Sequence, residues 1–237
     1  MVKVAMQLIS GKFVHRPNRF VAVVNINGEK HPCHVQNPGR MEKFLVKGAE
    51  VLVEHRPSPR RKTQYSMLYV VKNGIKILLD SQLSNDIFHE GLKNNLVDPF
   101  SHVRNIRREV PYGEGNHSRI DFLLDNSIYL EVKSVNYAEG SVGLWPDAPS
   151  KRGRKHVVEL IDLLESNEKL IPWIVFLVQR SDIHEVRPFD EIDPEFGKIF
   201  RVALEKGVQS TAFAITYSDG GKEAKIGREL PVVPEKT

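Results

Sequence analysis

Residues 118–133 read SRIDFLLDNSIYLEVK, and this stretch decides the fold of the second half of the chain. Two β-prone runs flank Asp125, Asn126 and Ser127, which are typical turn residues. The stretch therefore predicts a β-hairpin with Asn126 at its apex. With that apex, the facing pairs on one side of the hairpin are all apolar: Ile120 with Val132, Phe122 with Leu130, and Leu124 with Ile128.

The opposite face of this hairpin carries the polar side chains. Asp121 is predicted to lie directly across from Glu131, with roughly 5 Å between their Cβ atoms. Lys133 follows two residues after Glu131 and points to the same side. A register shifted by one residue would mix apolar and polar side chains on both faces, which burial disfavours. The other members of this face are Arg119, Leu123 and Tyr129. The sequence thus predicts two carboxylates and a lysine in one small patch.

Two carboxylates at this distance repel each other unless a cation lies between them. Mg²⁺ (or Mn²⁺) binds oxygen ligands and often uses one or two carboxylates together with waters and a substrate phosphate. We therefore expect Asp121 and Glu131 to be metal ligands, and Lys133 to position or polarise the water that attacks a phosphodiester. Glu109, on the preceding predicted strand, is a further candidate catalytic carboxylate. The alternative is a surface ion-pair patch bridged by Lys133, with Glu109 as a solvated edge residue.

Charge is distributed unevenly along the 237 residues, whose net charge is +4. Residues 1–80 contain 14 Lys and Arg against 5 Asp and Glu, a net charge of +9. Residues 81–237 contain 20 against 25, a net charge of −5. A strongly basic segment points to a polyanionic partner, and DNA is the partner we expect. A basic surface without a partner is the alternative.

Composition narrows the class of protein. An apolar fraction of 41% is typical of a globular chain, and no apolar run is long enough to cross a membrane. Cys33 is the single cysteine, so an intramolecular disulfide is impossible and a cytoplasmic location is expected. The first ten residues do not resemble a signal peptide. A zinc site at His31, Cys33 and His34 is not expected, because it would need four ligands.

The chain divides near residue 80 into two predicted domains. Residues 1–80 contain short β-prone runs and two hairpin signals, Asn27-Gly28 and Asn73-Gly74, which favour a small OB-like barrel. Only residues 41–46 have some helical character. Residues 81–237 predict the order αβββαβαβ, a mixed α/β domain, with a loop over 137–150 and a frayed tail over 231–237. The predicted helices of this domain span 81–97, 155–166 and 194–206, the last closed by Gly207.

Several basic residues are candidates for phosphate contact. They fall in a turn before Met41, in a loop between two predicted strands, beside the hairpin acids, and at the start of a helix, where backbone N–H groups favour anions. For each of them the alternative is an ordinary solvated surface. The candidates are Arg40, Arg56, Arg60, Arg61, Lys62, Arg119, Arg152, Lys155 and His156.

Four separated motifs make the chain resemble the sugar fermentation stimulation protein (SfsA) family. They are HVQNPGRM at 34–41, SRIDF at 118–122, EVK at 131–133, and PDA at 146–148 followed by Arg152-Gly153 and Lys155-His156. The resemblance implies an N-terminal OB barrel, a C-terminal domain like the PD-(D/E)XK nucleases, and DNA binding. It also implies that Asp121, Glu131 and Lys133 form the core of the nuclease site, with Glu109 beside them. Trp145 and Pro38 depart from the pattern but leave the acidic site intact.

Two functions remain open at this stage. The first is a metal-dependent nuclease in which the barrel grips DNA and the acidic site cleaves it. The second is a DNA-binding regulator, of sugar-metabolism genes by resemblance to the family, that keeps a nuclease-like frame without turnover. A metal enzyme acting on a small molecule is disfavoured by the basic first domain. The oligomeric state is open, and a homodimer is one option.

Overall fold

The structure is a computed structural model that describes residues 1–37, 39–57, 62–113, 115 and 117–235. Within these ranges it confirms the predicted class, a mixed α/β fold that begins with a β-barrel. No helix in the described ranges is long and apolar enough to span a membrane. Arg60 and Arg61, two of the predicted phosphate contacts, lie outside the described residues.

Five strands close into the N-terminal barrel. They are β2 (Ile9–Asn18), β3 (Val21–Ile26), β4 (Glu29–His34), β5 (Glu50–His55) and β6 (Tyr65–Lys72). A parallel pairing of β4 with β6, through Cys33 and Tyr65, completes the closure. The predicted hairpin turns are present, since Asn27 and Asn73 adopt φ values of 53° and 51° and each precedes a glycine with positive φ. The segment 41–46 forms turns and not a helix.

A short strand, β7 (Ile75–Leu78), extends the barrel sheet beside β6 and leads into the second part of the chain. There, one mixed sheet contains seven strands: β1 (Val2–Lys3), β8 (Ile106–Tyr112), β9 (Ser118–Leu124), β10 (Ile128–Val135), β13 (Ile171–Val178), β15 (Gln209–Ser218) and β16 (Glu223–Leu230). Their order in the sheet is β1-β16-β15-β13-β10-β9-β8. Strands β10, β13 and β15 run parallel, as expected for strands joined by crossover helices.

Three helices cover the two faces of this sheet. Helix α1 (Ser81–Lys93) packs on one face, and α2 (Lys151–Ser166) and α3 (Pro194–Lys206) pack on the other. Each helix begins at a capping side chain, from Asp80, Ser150 and Asp193 respectively. The prediction for α3 and its closing Gly207 is confirmed.

Two of the helix bounds differ from the prediction. Helix α1 ends at Lys93 and not at residue 97, because Asn95 turns the chain with a φ of 55°. Helix α2 begins four residues earlier than predicted, since Ser150 supplies the cap through a 3.0 Å bond from the Gly153 amide.

The prediction of a loop over 137–150 is wrong. This segment contains β11 (Tyr137–Glu139) and β12 (Val142–Trp145), which form a small sheet with β14 (Glu185–Pro188). The predicted frayed tail is also wrong up to Val233, since Val232 bridges to Val186 and the Val233 amide donates to the Val186 carbonyl. The second part of the chain therefore has more strands than the predicted order.

The barrel and the large sheet share one hydrophobic core on the α1 side. Leu68, Tyr69 and Leu78 from the barrel sheet pack with residues of α1 and of the large sheet. Val2, Val4 and Ala5 also belong to this core, where β1 pairs with β16 at the edge of the large sheet. Arg56 joins these parts, since its guanidinium binds the Glu54 carboxylate and the Val4 carbonyl.

Candidate active site

The β9–β10 hairpin has the predicted register near its turn. Leu124 faces Ile128, Leu123 faces Tyr129 and Phe122 faces Leu130. The ladder ends there, so the prediction that Asp121 lies directly across the ladder from Glu131 is wrong. Instead, the Val132 amide donates to Asp121 Oδ2 at 2.7 Å. The aspartate side chain therefore takes the place of a backbone carbonyl at the point where the two strands diverge.

The predicted apolar face of the hairpin is also divided. Phe122, Leu124 and Leu130 pack on the α1 side of the sheet, whereas Ile120 packs on the α2 and α3 side. The neighbouring strand β8 is irregular at the same level, because Glu109 adopts a left-handed φ of 52°. Both faces of the sheet are covered, so Glu131 and Lys133 are buried and do not form an exposed patch.

Glu131, Lys133 and His156 form a buried polar cluster, with exposures of 3%, 8% and 6%. Lys133 Nζ lies 2.7 Å from Glu131 Oε1, and His156 Nδ1 hydrogen-bonds to the same oxygen. Glu131 Oε2 is buried and has no hydrogen-bond partner among the described residues. One oxygen of this carboxylate is therefore saturated with donors, whereas the other lacks a donor.

The hydrogen bonds of His156 define its tautomer. Arg152 Nε, which is always a donor, lies 3.2 Å from His156 Nε2. Nε2 then accepts, so the ring proton is on Nδ1 and is donated to Glu131, and the longer 3.4 Å contact of Lys133 Nζ with Nδ1 is not a hydrogen bond in this tautomer. The cluster is thus a chain of donors that runs from Arg152 through His156 to the carboxylate of Glu131.

The carboxyl groups of Asp121 and Glu131 are shifted in opposite directions. Burial, and then the nearby charge of Glu131, raises the pKa of Asp121 to about 7. Burial alone would raise the pKa of Glu131 too, but the charge of Lys133 and the hydrogen bond from His156 outweigh it and lower that pKa. Asp121 is held by Asn85, whose side-chain amide donates to Oδ1 at 2.9 Å.

A cleft of 630 Å³ opens over these acids between the barrel and the large sheet. Its barrel wall includes Arg19 and Arg40, and the opposite wall includes Lys151 and Arg152 at the start of α2. The floor carries Asp121, Glu131, Lys133 and His156 together with Asn85, Asn136 and Trp145. The arrangement places carboxylates at the bottom of a cleft whose rim bears four cationic side chains.

The barrel rim of the cleft is organised by Arg16. Its guanidinium donates to the carbonyls of Asn37 and Gly39, both at 2.6 Å, and to the carbonyl of Arg19. Asn37 in turn donates to the Leu79 carbonyl at 2.9 Å. These bonds fix the two loops that present Arg19 and Arg40 to the cleft.

The predicted site residues divide into two groups. The cleft brings together Asp121, Glu131, Lys133, Arg40, Arg152 and His156. His156, expected to contact phosphate, is instead buried against Glu131. The predicted residues that do not line the cleft are Glu109, Arg56, Lys62, Arg119 and Lys155.

The members of the second group have other partners or lie on open surface. Glu109 is exposed, and its carbonyl accepts a 2.9 Å bond from Arg119. Lys155 contacts Ser118 and Glu159 on the far side of α2. Arg56 binds Glu54, and Lys62 is exposed. These residues therefore lie outside the cleft, either in local contacts or on the exposed surface.

The cleft also contains residues that were not among the predicted contacts, including Arg19, Lys151, Asn85 and Asn136. Arg19 lies at the tip between β2 and β3, and a basic residue at a hairpin tip is a sequence signal for phosphate contact. Asn85 and Asn136 carry no such signal. They reach the cleft through long-range packing, and Asn136 donates to the Leu78 carbonyl of the barrel sheet at 2.5 Å.

Among the described residues, no three His, Cys, Asp or Glu side chains are arranged to hold a metal ion together. The carboxylates that line the cleft are Asp121, Glu131 and Asp147, and a cation held by one or two of them would complete its shell with waters or a ligand phosphate. That pattern is common for Mg²⁺ and differs from the all-protein cages that bind Ca²⁺ or structural Zn²⁺.

Comparison with known proteins gives consistent matches along the chain. Residues 14–79 match the family described as "SfsA N-terminal OB domain", and residues 82–221 match "Sugar fermentation stimulation protein RE domain". The sugar fermentation stimulation protein homolog of Caldanaerobacter subterraneus is 41% identical over 95% of this chain and 97% of its own. The homolog of Acetivibrio thermocellus is 37% identical over 98% and 99%. The structure of Pyrococcus furiosus SfsA in complex with Ca²⁺ matches with a TM-score of 0.87 at 29% identity, over 98% of this chain and all of that one.

Proposed function

The chain belongs to the sugar fermentation stimulation protein family, and on that premise we propose that it is a DNA-binding protein that hydrolyses phosphodiesters with a divalent metal ion. The observation that carries the proposal is the unpartnered, buried Oε2 of Glu131 beside Asp121, on the floor of a cleft with a cationic rim. A buried carboxylate oxygen without a donor is costly unless a ligand satisfies it.

The donor set fits Mg²⁺ or Mn²⁺. Asp121 Oδ1 and Oδ2 each accept one hydrogen bond, which leaves each oxygen a lone pair for a cation. A cation beside both acids would also offset the repulsion that raises the pKa of Asp121. The related Pyrococcus furiosus protein was solved in complex with Ca²⁺, another cation that takes oxygen ligands, and this supports a divalent site here.

The residues of the floor have distinct roles in this proposal. When bound, the ion supplies a Lewis acid that polarises a phosphoryl oxygen and acidifies water. Lys133 is held by its ion pair with Glu131, and its Nζ lies 5.4 Å from the centroid of the Trp145 ring. This fixed ammonium group would orient the attacking water and stabilise the negative charge that develops on the phosphate.

The cationic rim provides the DNA contacts. Arg19, Arg40, Lys151 and Arg152 face each other across the cleft. Cations that neutralise phosphates release condensed counterions, so binding should weaken steeply as the salt concentration rises. The predicted nuclease-like character of the second domain rests on this geometry and on the family resemblance.

A DNA-binding regulator without turnover is the second candidate. The observation that favours it is the closed contact of Glu131 Oε1 with both Lys133 and His156, which occupies one of the two predicted metal-ligand groups. In this case Glu131 would stabilise the fold through its bonds with Lys133 and His156 and would not bind a metal ion. The two candidates differ in whether the cleft turns over DNA.

Cleavage assays on DNA with Mg²⁺, Mn²⁺ or EDTA separate them. We expect the wild type to cleave only with a divalent ion, and Glu131→Gln and Lys133→Ala to lose on the order of 100-fold or more in rate. Glu168→Gln, an exposed glutamate that does not line the cleft, is the charge-matched control and should retain full activity. DNA binding by every variant with cleavage by none would establish the regulator. Absence of DNA binding at low salt would overturn both candidates.

A further inference from the structure

The barrel presents one of its large aromatic rings to solvent. Single-stranded nucleic acid is bound on OB barrels by aromatic side chains that stack with the bases, so exposure decides which rings can act. Phe13, Phe44 and Tyr69 are buried in hydrophobic cores, and Tyr65 is half-buried and packs against the rings of His31 and His55. Phe20, between β2 and β3, is 45% exposed.

The backbone around Phe20 is fixed by several hydrogen bonds. The Phe20 amide donates to Asn18 Oδ1 at 2.9 Å, and its carbonyl accepts from the Val35 amide at 2.9 Å. The carbonyl of the preceding Arg19 accepts from the guanidinium of Arg16, which also binds Asn37 and Gly39. A ring on such a backbone is preorganised, and binding through it costs less conformational entropy than binding through a mobile loop.

Phe20 does not itself line the cleft, but it contacts a residue that does. The guanidinium carbon of Arg19 is 5.3 Å from the centroid of the Phe20 ring, and Arg19 lines the cleft that contains Asp121 and Glu131. A cation and an aromatic face therefore stand together at the barrel rim. This is the pairing that binds a base and its phosphate at the same time.

An intact duplex keeps its bases stacked on each other, so none of them is free to stack on Phe20. The bases of a single strand are free to stack on an aromatic ring.

From these observations we propose that Arg19 and Phe20 form a stacking platform for an unpaired base, and that the substrate is single-stranded DNA whose backbone enters the cleft from this platform. The inference rests on the proposed function, which it deepens by naming the class of substrate. Phe20 supplies the aromatic face, and Arg19 supplies the charge that directs the adjoining phosphate toward Asp121 and Glu131.

The test is fluorescence anisotropy with a labelled single-stranded oligonucleotide and its matched duplex, at low salt with EDTA so that nothing is cleaved. We expect tighter binding of the single strand. Phe20→Ala should weaken single-strand binding by about 5- to 150-fold, the effect of one stacked base, and change duplex binding less than about twofold. Phe20→Trp should restore single-strand affinity. Val46→Ala, which removes another exposed apolar side chain of the first domain, is the matched control and should bind like the wild type.

The other possible results of this experiment test the platform, the nuclease activity and the DNA binding separately. Preferred binding of duplex, or equal losses on both DNAs in Phe20→Ala, would overturn the platform while leaving the DNA-binding function in place. A selective loss on single strands together with no cleavage under any metal would support the platform and refute the nuclease. No binding of either DNA by the wild type would overturn the proposed function as well.

Discussion

The carboxyl groups of Asp121 and Glu131 lie in one small site, but their pKa values are shifted in opposite directions. Glu131 keeps its charge because Lys133 and His156 donate to it, although it is buried. Burial, and then the charge of its neighbour Glu131, raise the pKa of Asp121 to about 7, because its donors from Asn85 and Val132 are neutral and do not compensate. Carboxyl groups whose pKa values are pushed apart in a cleft are typical of functional sites.

The raised pKa of Asp121 has a consequence for stability. In the unfolded chain this group titrates near its ordinary value of 3.8, and in the folded protein it titrates near 7. The folded state therefore binds more protons in this window, and the contribution of Asp121 to stability is lost as the pH rises from about 4 to 7. Asp121→Asn removes this pH-dependent loss of stability, because the amide does not ionise. The Asn85 side-chain amide, once rotated, can still hydrogen-bond to the amide introduced at position 121.

We predict that Asp121→Asn increases the free energy of unfolding at pH 8 by about 1 to 3 kcal/mol in EDTA. The advantage should shrink as the pH approaches 4. Urea unfolding across this pH range measures it, with Asp162→Asn, an exposed position on α2, as the charge-matched control. Equal stability of Asp121→Asn and the wild type at pH 8 would refute the assignment of the raised pKa.

His156 is predicted to be a positioning residue for Glu131. Asn can place its amide donor where His156 Nδ1 lies, whereas the amide of Gln extends toward the Nε2 position and Arg152. We expect His156→Asn to keep Mn²⁺ affinity within about threefold and His156→Gln to lower it by about 10- to 100-fold, as for other outer-shell partners. Isothermal titration calorimetry without DNA measures both. Equal losses in the two variants would mean that the donor to Glu131 is not what matters.

At the scale of elements, the first turn of α2 is built around Gly153. A Cβ at this position would lie 2.5 Å from Cη2 of Trp145 and 2.9 Å from Oγ of Ser150, the N-cap. Trp145 in turn packs edge-on against Phe196 of α3 and lines the cleft. The glycine thus allows the helix that carries Arg152 and His156 to approach the floor of the cleft.

Gly153→Ala should destabilise the protein even though alanine favours helices by about 1 kcal/mol. We expect a net loss of about 1 to 3 kcal/mol in the free energy of unfolding, because the methyl group overpacks Trp145 and disturbs the cap. Denaturant titration followed by tryptophan fluorescence checks this. Val158→Ala, at an exposed position of the same helix, should stay within about 0.5 kcal/mol of the wild type. A stabilised Gly153→Ala would contradict the packing account.

The elements that were predictable from sequence are those with a strong local pattern. The β9–β10 hairpin register follows from its turn and its apolar alternation, and the bounds of α3 follow from its Pro194 start and its Gly207 end. The short strands β11, β12 and β14 were missed for two reasons. β11 and β12 form a local hairpin of only three residue pairs, too short to show a periodic pattern, and β14 exists through its pairing with the distant β12. The hairpin pattern also predicts that Asp121 and Glu131 lie in the same site. It does not predict that the strand pairing stops before them, because that break depends on the hydrogen bond from the Val132 amide to the Asp121 side chain.

For the whole molecule, the cleft is a product of how the barrel packs against the large sheet. Asn136 joins the sheet to the Leu78 carbonyl, and Tyr69 of the barrel donates to the Gly221 carbonyl at 2.7 Å. Asp147, on the loop after β12, lines the cleft beside Gly39, and burial raises its pKa. Neither half of the chain contains the cleft alone, since one wall belongs to each. The sequence therefore indicates the acidic residues and the basic loops separately, but not that they line the same cleft.

The proposed hydrolysis of phosphodiesters depends on a divalent cation bound by Asp121 and Glu131. The most direct test is a crystal of the wild-type protein soaked with Mn²⁺ and measured for anomalous scattering. We predict one strong peak on the cleft floor, within ligand distance of Glu131 Oε2 and an oxygen of Asp121. A peak elsewhere with this floor empty, or Glu131 still bound only to Lys133 and His156 in saturating Mn²⁺, would contradict the account.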